Sequence, residues 1–399
     1  MPRLLILSFY FPPDLSAGSF RCQALVDAIE RLRPPKMEVE LVTTLPNRYH
    51  QMNNQAAEYE DRGWLKIRRI KLPKHESGMI DQSRSFGVFS MRAMAATKGK
   101  RYDAVFATSS RLMTAALGAL IAKRADSPLY LDIRDLFVDT MGDVFAQSAA
   151  RYSLPLFGHI EKRTFSAAAR MSIVSAGFES YISQFVPKDR LRIYTNGIDA
   201  EFLHADYSHS TGLKDRRPVI LYAGNIGEGQ GLEHIIPQAA RKLENKAQFR
   251  IVGSGGRLPQ LAAAVSSLPN VELCPPVDRT KLLDHYRQAD MLLLHLNDHE
   301  AFKRVLPSKL FEYAATGKVM LAGVAGHAAD FIASNVDGAI VFQPCSVVGL
   351  VDAVVSAQTG PSTFPRDEFR AKFSRQRIME EMALDLIGFS QTKDRETSQ

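Results

Sequence analysis

Cysteine is scarce. Cys22, Cys274 and Cys345 stand far apart in a chain of 399 residues, and none belongs to a CxxC pair. Such spacing gives neither a disulfide framework nor a zinc knuckle. No two aspartates are separated by a single residue, so a DxD metal–diphosphate site is missing. No low-complexity tract interrupts the chain, and its apolar fraction of 45% is that of a globular protein. The opening run, MPRLLILSFYFPP, is too short to span a bilayer and lacks the small-residue cleavage site of a signal peptide. It reads as a buried first strand, and a cytoplasmic protein is expected.

The net charge of +7 is uneven. Residues 1–195 hold 28 Lys and Arg against 19 Asp and Glu, whereas residues 196–399 hold 22 against 24. The excess lies in Arg62–Arg101, where 11 basic residues face only Glu76 and Asp81. Trp64, Ile67, Ile70, Leu72, Met79, Ile80, Phe86, Val88 and Phe89 are interleaved with those charges. This mixture suits an anionic membrane surface or a lipid-pyrophosphate acceptor. A solvated basic loop and helix face has the same composition. No recognised binding motif accompanies the patch, which argues against nucleic acid.

Apolar β-rich runs alternate with helical patterns, as in parallel sheets covered by helices. In the first half the strands are expected at Leu4–Phe9, Val39–Thr43, Ala104–Ala107, Leu129–Asp132 and Met171–Val174. Ala24, Leu25, Ala28, Ile29 and Leu32 fall on one face of an intervening helix. After Asn196-Gly197-Ile198-Asp199 and the polar stretch HADYSHSTGLKDRRP, a second series begins. Its strands are expected at Val219–Ala223, Gln248–Val252, Val271–Leu273, Met291–Leu294, Val319–Ala322 and Ala339–Phe342. The pattern predicts an α/β protein of two Rossmann-like domains facing a central cleft. Residues 1–197 would form the first, 198–364 the second, and 365–399 an amphipathic helix across the junction with a disordered tail, QTKDRETSQ.

Several loops carry chemistry. Gly18 and Ser19, in the loop that opens the first helix, sit where helix N–H groups can meet an anion. Many strand-to-helix turns contain glycine, so this signal is weak alone. Tyr222-Ala-Gly224-Asn225-Ile-Gly227 and Ile251-Val-Gly253-Ser254-Gly255-Gly256 each follow a strand. The second is not a full dinucleotide fingerprint, yet two glycine loops in one domain point to a phosphorylated ligand. The most specific stretch is Leu306-Pro307-Ser308-Lys309-Leu310-Phe311-Glu312-Tyr313, in which Pro307 can start a helix. The N–H groups of Ser308 and Lys309 would point at an anion, Lys309 would add a cation, and Glu312 would share its face. A plain i,i+3 ion pair between Lys309 and Glu312 has the same spacing. His295 ends a strand, where a satisfied core histidine is the simpler reading.

With these residues in view, nearly the whole chain resembles the family-4 retaining glycosyltransferases of the GT-B fold. The likeness rests on the FPPD…SAGS loop, TNGID, YAGNIG, IVGSGG, NVELCPPVDRTKLLDHYRQADMLLL and EYAATGKVM. GNIG…QGLE with LPSKLFEYAATGK is similar to the bacterial O-antigen and capsule subgroup that includes N-acetyl-L-fucosaminyl transferases. The resemblance implies that Glu312 holds the donor ribose and that Ser308 and Lys309 hold the diphosphate. It implies that Gly18 and Ser19 approach from the other domain and that backbone near Val277 contacts the base. Gly224, Asn225, Gly227, Gly253, Ser254 and Gly255 would complete the donor site. No cofactor or metal is implied beyond a UDP-sugar co-substrate.

Some positions depart from the family. Its Arg and Lys that neutralise the departing diphosphate fall on Asn225 and Gln230, and the first glutamate of its pair falls on Arg304. Lys309 and Arg304 could supply positive charge from the other side. Arg134 occupies a common histidine position in Leu131-Asp132-Ile133-Arg134-Asp135. Asp132 or Asp135 could orient or deprotonate the acceptor hydroxyl, with Arg134 fixing its geometry. Asp135 could equally cap a turn. The family's donor phosphate can itself take the proton. The implied acceptor is polyprenyl-pyrophosphate-linked or a saccharide, at the cytoplasmic face of the inner membrane through Arg62–Arg101. A nucleotide-sugar 2-epimerase and an inactive nucleotide-sugar-binding relative are the alternatives.

Overall fold

A computed structural model describes residues 2–14, 16–46, 56–73, 79–109, 111–144, 149–207 and 216–396. Most of the polar stretch after Asp199, positions 208–215, lies outside them, as do positions 74–78 of the basic stretch. The chain forms two compact units, one of Met1–Asn196 with Gln376–Gln399 and one of Gly197–Arg375.

The first unit is built on eight strands: β1 (Arg3–Leu7), β2 (Glu38–Thr44), β3 (Tyr59–Asp61), β4 (Leu65–Ile70), β5 (Ala104–Ser109), β6 (Leu129–Ile133), β7 (Arg170–Ile173) and β8 (Leu191–Ile193). Their order is β3-β4-β2-β1-β5-β6-β7-β8, parallel except for the antiparallel edge strand β3. Leu4, Ile6, Leu41 and Phe106 are fully enclosed, as strands covered on both faces require. Helix Ala17–Leu32 begins at Ser16, whose Oγ accepts from the Ser19 N–H at 3.1 Å. It buries Leu25, Val26, Ala28 and Ile29 against the sheet. The same core takes Met379, Met382 and Leu386 of helix Arg375–Glu396. Burying each such Met or Leu contributes roughly 1.5–3 kcal/mol. That helix continues to Glu396, well into the tail expected to lack order.

Part of the Arg62–Arg101 stretch is built into the core of this unit. Its LKIRRI segment is β4, an interior strand, and Ile67, Ile70, Phe86 and Phe89 are core residues. Glu60 pairs with Arg62 at 2.7 Å and Arg69 at 3.0 Å, and Glu40 pairs with Lys100 at 2.6 Å. Those four apolar side chains are therefore enclosed, and part of the charge is neutralised internally.

The second unit is a six-stranded parallel sheet of β9 (Val219–Asn225), β10 (Gln248–Ser254), β11 (Val271–Cys274), β12 (Met291–His295), β13 (Val319–Gly323) and β14 (Ala339–Phe342). Its order is β11-β10-β9-β12-β13-β14. The chain builds outward from β9 in one direction, then crosses to β12 and builds the other way. Each sheet therefore has one point where strand order reverses, between β1 and β5 in the first unit and between β9 and β12 in the second. Crevices beyond the carboxyl ends of strands at such points are where open α/β sheets take ligands.

Candidate functional site

In the second unit β9 and β12 pair only at Ile220–Met291 and Leu221–Leu292. Beyond that the ladder is completed by a side chain. Tyr313 Oη accepts from the Ala223 N–H at 2.8 Å and lies 3.2 Å from its carbonyl. This pins helix Ser308–Ala315 to the sheet at the reversal point. On the other side of β9 the glycines allow close approach to β10. Gly224 and Gly253 are register partners with φ of 145° and 151°, and a Cβ on Gly253 would collide with the Gly224 carbonyl. A Cβ on Gly255 would likewise strike the Ile226 backbone. Ser254 accepts from the Ile226 N–H through its carbonyl at 2.9 Å.

Pro307 is extended, with φ −64° and ψ 137°, and precedes the helix instead of being its first residue. No side chain caps that helix. Lys309 folds back so that Nζ lies 3.8 Å from the centroid of the Tyr222 ring, close enough to Gly224 that a Cβ there would come within 2.6 Å. This nitrogen is buried and has no hydrogen-bond partner among the described residues. Burial pushes its pKa down to about 7, with Glu312 opposing the shift. Glu312 instead accepts from Tyr286 Oη at 3.1 Å. Burial raises the Glu312 carboxyl and Asp199 adds to the rise, while Arg279, Arg375 and Tyr286 oppose it. The plain i,i+3 ion pair is therefore absent. Two ionisable side chains thus stand one turn apart, Lys309 without a hydrogen-bond partner among the described residues and Glu312 held by the Tyr286 hydroxyl.

Asn225 and Gln230, where positive charges were expected from the resemblance, bind each other. Asn225 Nδ2 donates to Gln230 Oε1 at 2.9 Å, as does the Gly227 N–H at 3.2 Å. Val277 lies in the loop after β11, half-buried against the core cluster that contains Leu310. Ser308 is half-buried at the helix start. His295 is structural. Its Nε2 accepts from the Cys345 N–H at 2.9 Å, so Nδ1 carries the proton donated to the Gln230 carbonyl at 2.6 Å. Burial pushes its pKa down to about 4.

The first-unit candidates divide. Ser19 has given its N–H to the Ser16 cap, so it cannot offer that group to an anion, and its buried hydroxyl has no partner among the described residues. Gly18, beside it in the first turn, is also buried. Asp132 is 1% exposed and fully engaged. It accepts from Arg21 Nε at 3.0 Å and Nη2 at 2.9 Å, from Thr108 at 3.0 Å and from Ser172 at 2.9 Å. Burial alone would raise its carboxyl, but the Arg21 charge and hydrogen bonds hold it below the ordinary range. It is a buried anchor and not a base that reaches an acceptor. Asp135 is exposed just past β6, next to half-buried Arg134.

Sequence reasoning missed Arg21, Tyr222, Tyr286 and Tyr313. Their roles depend on partners distant in the chain, although Tyr222, Tyr286 and Tyr313 all lie inside motif stretches.

With this geometry established, comparison places the chain. Residues 217–359 match the family model described as glycosyl transferases group 1, and residues 23–197 match the one described as glycosyl transferase 4-like domain. The Escherichia coli K12 protein WcaI, named as a colanic acid biosynthesis glycosyl transferase, is 25% identical over 97% of this chain and 100% of its own length. The Anabaena Alr3699/HepE structure in complex with UDP-glucose superposes with a TM-score of 0.60 over 100% of both chains at 12% identity. The lipopolysaccharide outer core galactosyltransferase WaaB gives 0.60 over 98% of this chain and 100% of its own, also at 12%. With two Rossmann-like α/β domains, one matching each model, the chain belongs to the GT-B glycosyltransferases.

Proposed function

We propose that this chain is a retaining, family-4 glycosyltransferase that takes its sugar from a UDP-sugar, an N-acetylated hexosamine or its deoxy derivative. The acceptor in this reading is polyprenyl-pyrophosphate-linked or a saccharide, in bacterial surface polysaccharide assembly. One observation carries it: the Lys309 nitrogen is buried without a hydrogen-bond partner at the reversal point of the second sheet, one turn from Glu312. A nucleoside diphosphate supplies the partner that Lys309 lacks. Its phosphate oxygens would accept from Lys309 and from the N–H groups of Ser308 and Lys309. Its ribose hydroxyls would donate to Glu312. The Gly224 and Gly253 loops leave room for that backbone approach. The name of WcaI and the UDP-glucose held in the HepE structure agree with this reading.

In the reaction the bond between the sugar anomeric carbon and the UDP oxygen breaks, and one to the acceptor hydroxyl oxygen forms. The acceptor proton passes to the departing diphosphate or to Asp135. Charge grows on the diphosphate as it leaves, and each fixed donor facing it typically lowers the barrier by about 2.7–4 kcal/mol. Asn225 and Gln230 are uncharged, so Lys309 carries that role with Arg304. No metal or cofactor enters the scheme. Peripheral contact with the cytoplasmic face of the inner membrane would be electrostatic, through exposed Arg84, Arg92 and Lys98 with Met91.

The test is a calorimetric titration with UDP, GDP and dTDP in EDTA. Selective UDP binding that weakens in Glu312→Ala is expected. Absence of binding by every nucleotide would overturn the reading in favour of an inactive relative.

A further inference from the structure

Two tyrosines fasten helix Ser308–Ala315, each in its own way. Tyr313, on the helix itself, ties it to β9 through the Ala223 backbone. Tyr286 comes from a separate helix, Arg279–Gln288, whose start is capped by Asp278 accepting from the Lys281 N–H at 2.9 Å. Its ring packs against Phe202 and Tyr313, with centroids 5.7 Å from each and the Tyr313 ring perpendicular. At 1% exposure it has almost no surface to offer a ligand. Its hydroxyl donates to Oε2 of Glu312 at 3.1 Å. Burial, with the Glu312 charge adding to it, raises the phenol well above its ordinary value, so it stays a donor at neutral pH.

Stronger donors stand within electrostatic reach of Glu312 and are spent elsewhere. Arg279 and Arg375 both act on its carboxyl as charges. Arg279, however, pairs with Asp199 at 2.7 Å and with Glu201. Arg375 also pairs with Asp199 and donates to the Gly197 carbonyl at 3.3 Å. A guanidinium fork on Glu312 would occupy both of its oxygens, whereas the phenol occupies one. Among the described residues Oε1 of Glu312 accepts no hydrogen bond, and it is not sealed from solvent. The carboxylate is therefore fixed at one oxygen and uncommitted at the other.

We propose that Tyr286 is a positioning residue: it fixes the rotamer of Glu312, aims Oε1 at the ribose, and so sets the preference for a ribonucleotide over its dideoxy counterpart. The proposal rests on the glycosyltransferase reading above and adds to it a residue that acts through Glu312 without touching substrate. A glutamate side chain loses rotamer freedom when a ligand must order it, and a partner that orders it beforehand removes that cost from binding. A neutral donor does so without cancelling the negative charge that the ribose hydroxyls meet.

The test measures binding of UDP and 2′,3′-dideoxy-UDP to the full chain by calorimetry. Tyr286→Phe keeps the buried ring and removes only the hydroxyl. It should weaken UDP about tenfold, the scale of one hydrogen bond to a charged group, and change 2′,3′-dideoxy-UDP by less than about twofold. A packing defect at the ring would weaken both nucleotides alike, and that outcome overturns the proposal. Unchanged UDP affinity overturns it as well. A double-mutant cycle supplies an independent check. On a Glu312→Ala background, Tyr286→Phe should have no further effect on UDP, and an undiminished effect there would show that the hydroxyl does not act through Glu312. Failure of UDP to bind the wild-type chain would remove the glycosyltransferase reading itself, and this proposal with it, before any variant is compared.

Discussion

The Lys309 ammonium nitrogen rests 3.8 Å from the centroid of the Tyr222 ring, with no hydrogen-bond partner among the described residues. A cation so placed is stabilised by the ring's quadrupole but deprived of water. Its folded pKa, about 7, is below its ordinary 10.5. The native chain thus releases a proton that the unfolded chain keeps, and this group makes stability rise with pH between those values. Thermal melts of the ligand-free protein from about pH 6 to about pH 9 should show that slope, and Lys309→Met should flatten it. A bound diphosphate restores the proton, so UDP affinity should fall as pH rises above about 7. Calorimetry in two buffers of different protonation enthalpy should register proton uptake. Lys309→Ala should lower kcat at least tenfold with the fold intact, and unchanged turnover would remove Lys309 from the diphosphate role.

Glu312 is expected to be a ribose ligand, and removal of the ribose hydroxyls tests that more sharply than UDP alone. A hydrogen bond to a charged group contributes about 1.5–3 kcal/mol, roughly ten- to a hundredfold in affinity. Wild type should bind 2′,3′-dideoxy-UDP at least tenfold more weakly than UDP. Glu312→Ala should bind the two almost equally. Equal discrimination in both proteins would place the ribose elsewhere.

The positions of the second-unit candidates were legible in the sequence because their signals are local. Gly224, Gly253, Lys309 and Glu312 lie at strand ends or a helix start, and period and punctuation alone locate those. The six strands of the second sheet were placed within a few residues for the same reason. β3, β4 and β8 were not, since LKIRRI alternates charge with apolar residues and looks like surface. Its buried Arg69 is neutralised by Glu60 on an antiparallel neighbour and also donates to the Pro12 and Ala57 carbonyls. A window along the chain cannot see that pairing. Asp132 and Asp135 show the same limit. They are three positions apart, and contacts from Arg21, Thr108 and Ser172 on three other elements decide their different fates.

Those two aspartates should separate cleanly under substitution. Asp132→Asn leaves Arg21 buried beside a neutral group, and breaking a buried pair costs about 3–5 kcal/mol. Urea unfolding should report that loss. Asp135→Asn, at an exposed position, should change stability by no more than about 0.5 kcal/mol. If Asp135 takes the acceptor proton, its turnover should fall about 10²-fold. Near-normal turnover would assign the proton to the donor phosphate.

Cys345 offers a stability gain away from the site. It holds φ 58° in the turn between β14 and helix Val347–Ala357, a left-handed conformation that costs an ordinary side chain about 1–2 kcal/mol. In return its Sγ lies 3.2 Å from Asn297 Oδ1, and thiols are weak donors. The backbone bond to His295 does not depend on the side chain. Cys345→Gly should therefore stabilise the chain by about 1 kcal/mol, raising Tm by roughly 2–4 °C. Cys345→Val should lower Tm, because a β-branched residue fits this conformation worst. A lower Tm in Cys345→Gly would mean that the thiol contact with Asn297 outweighs the backbone strain.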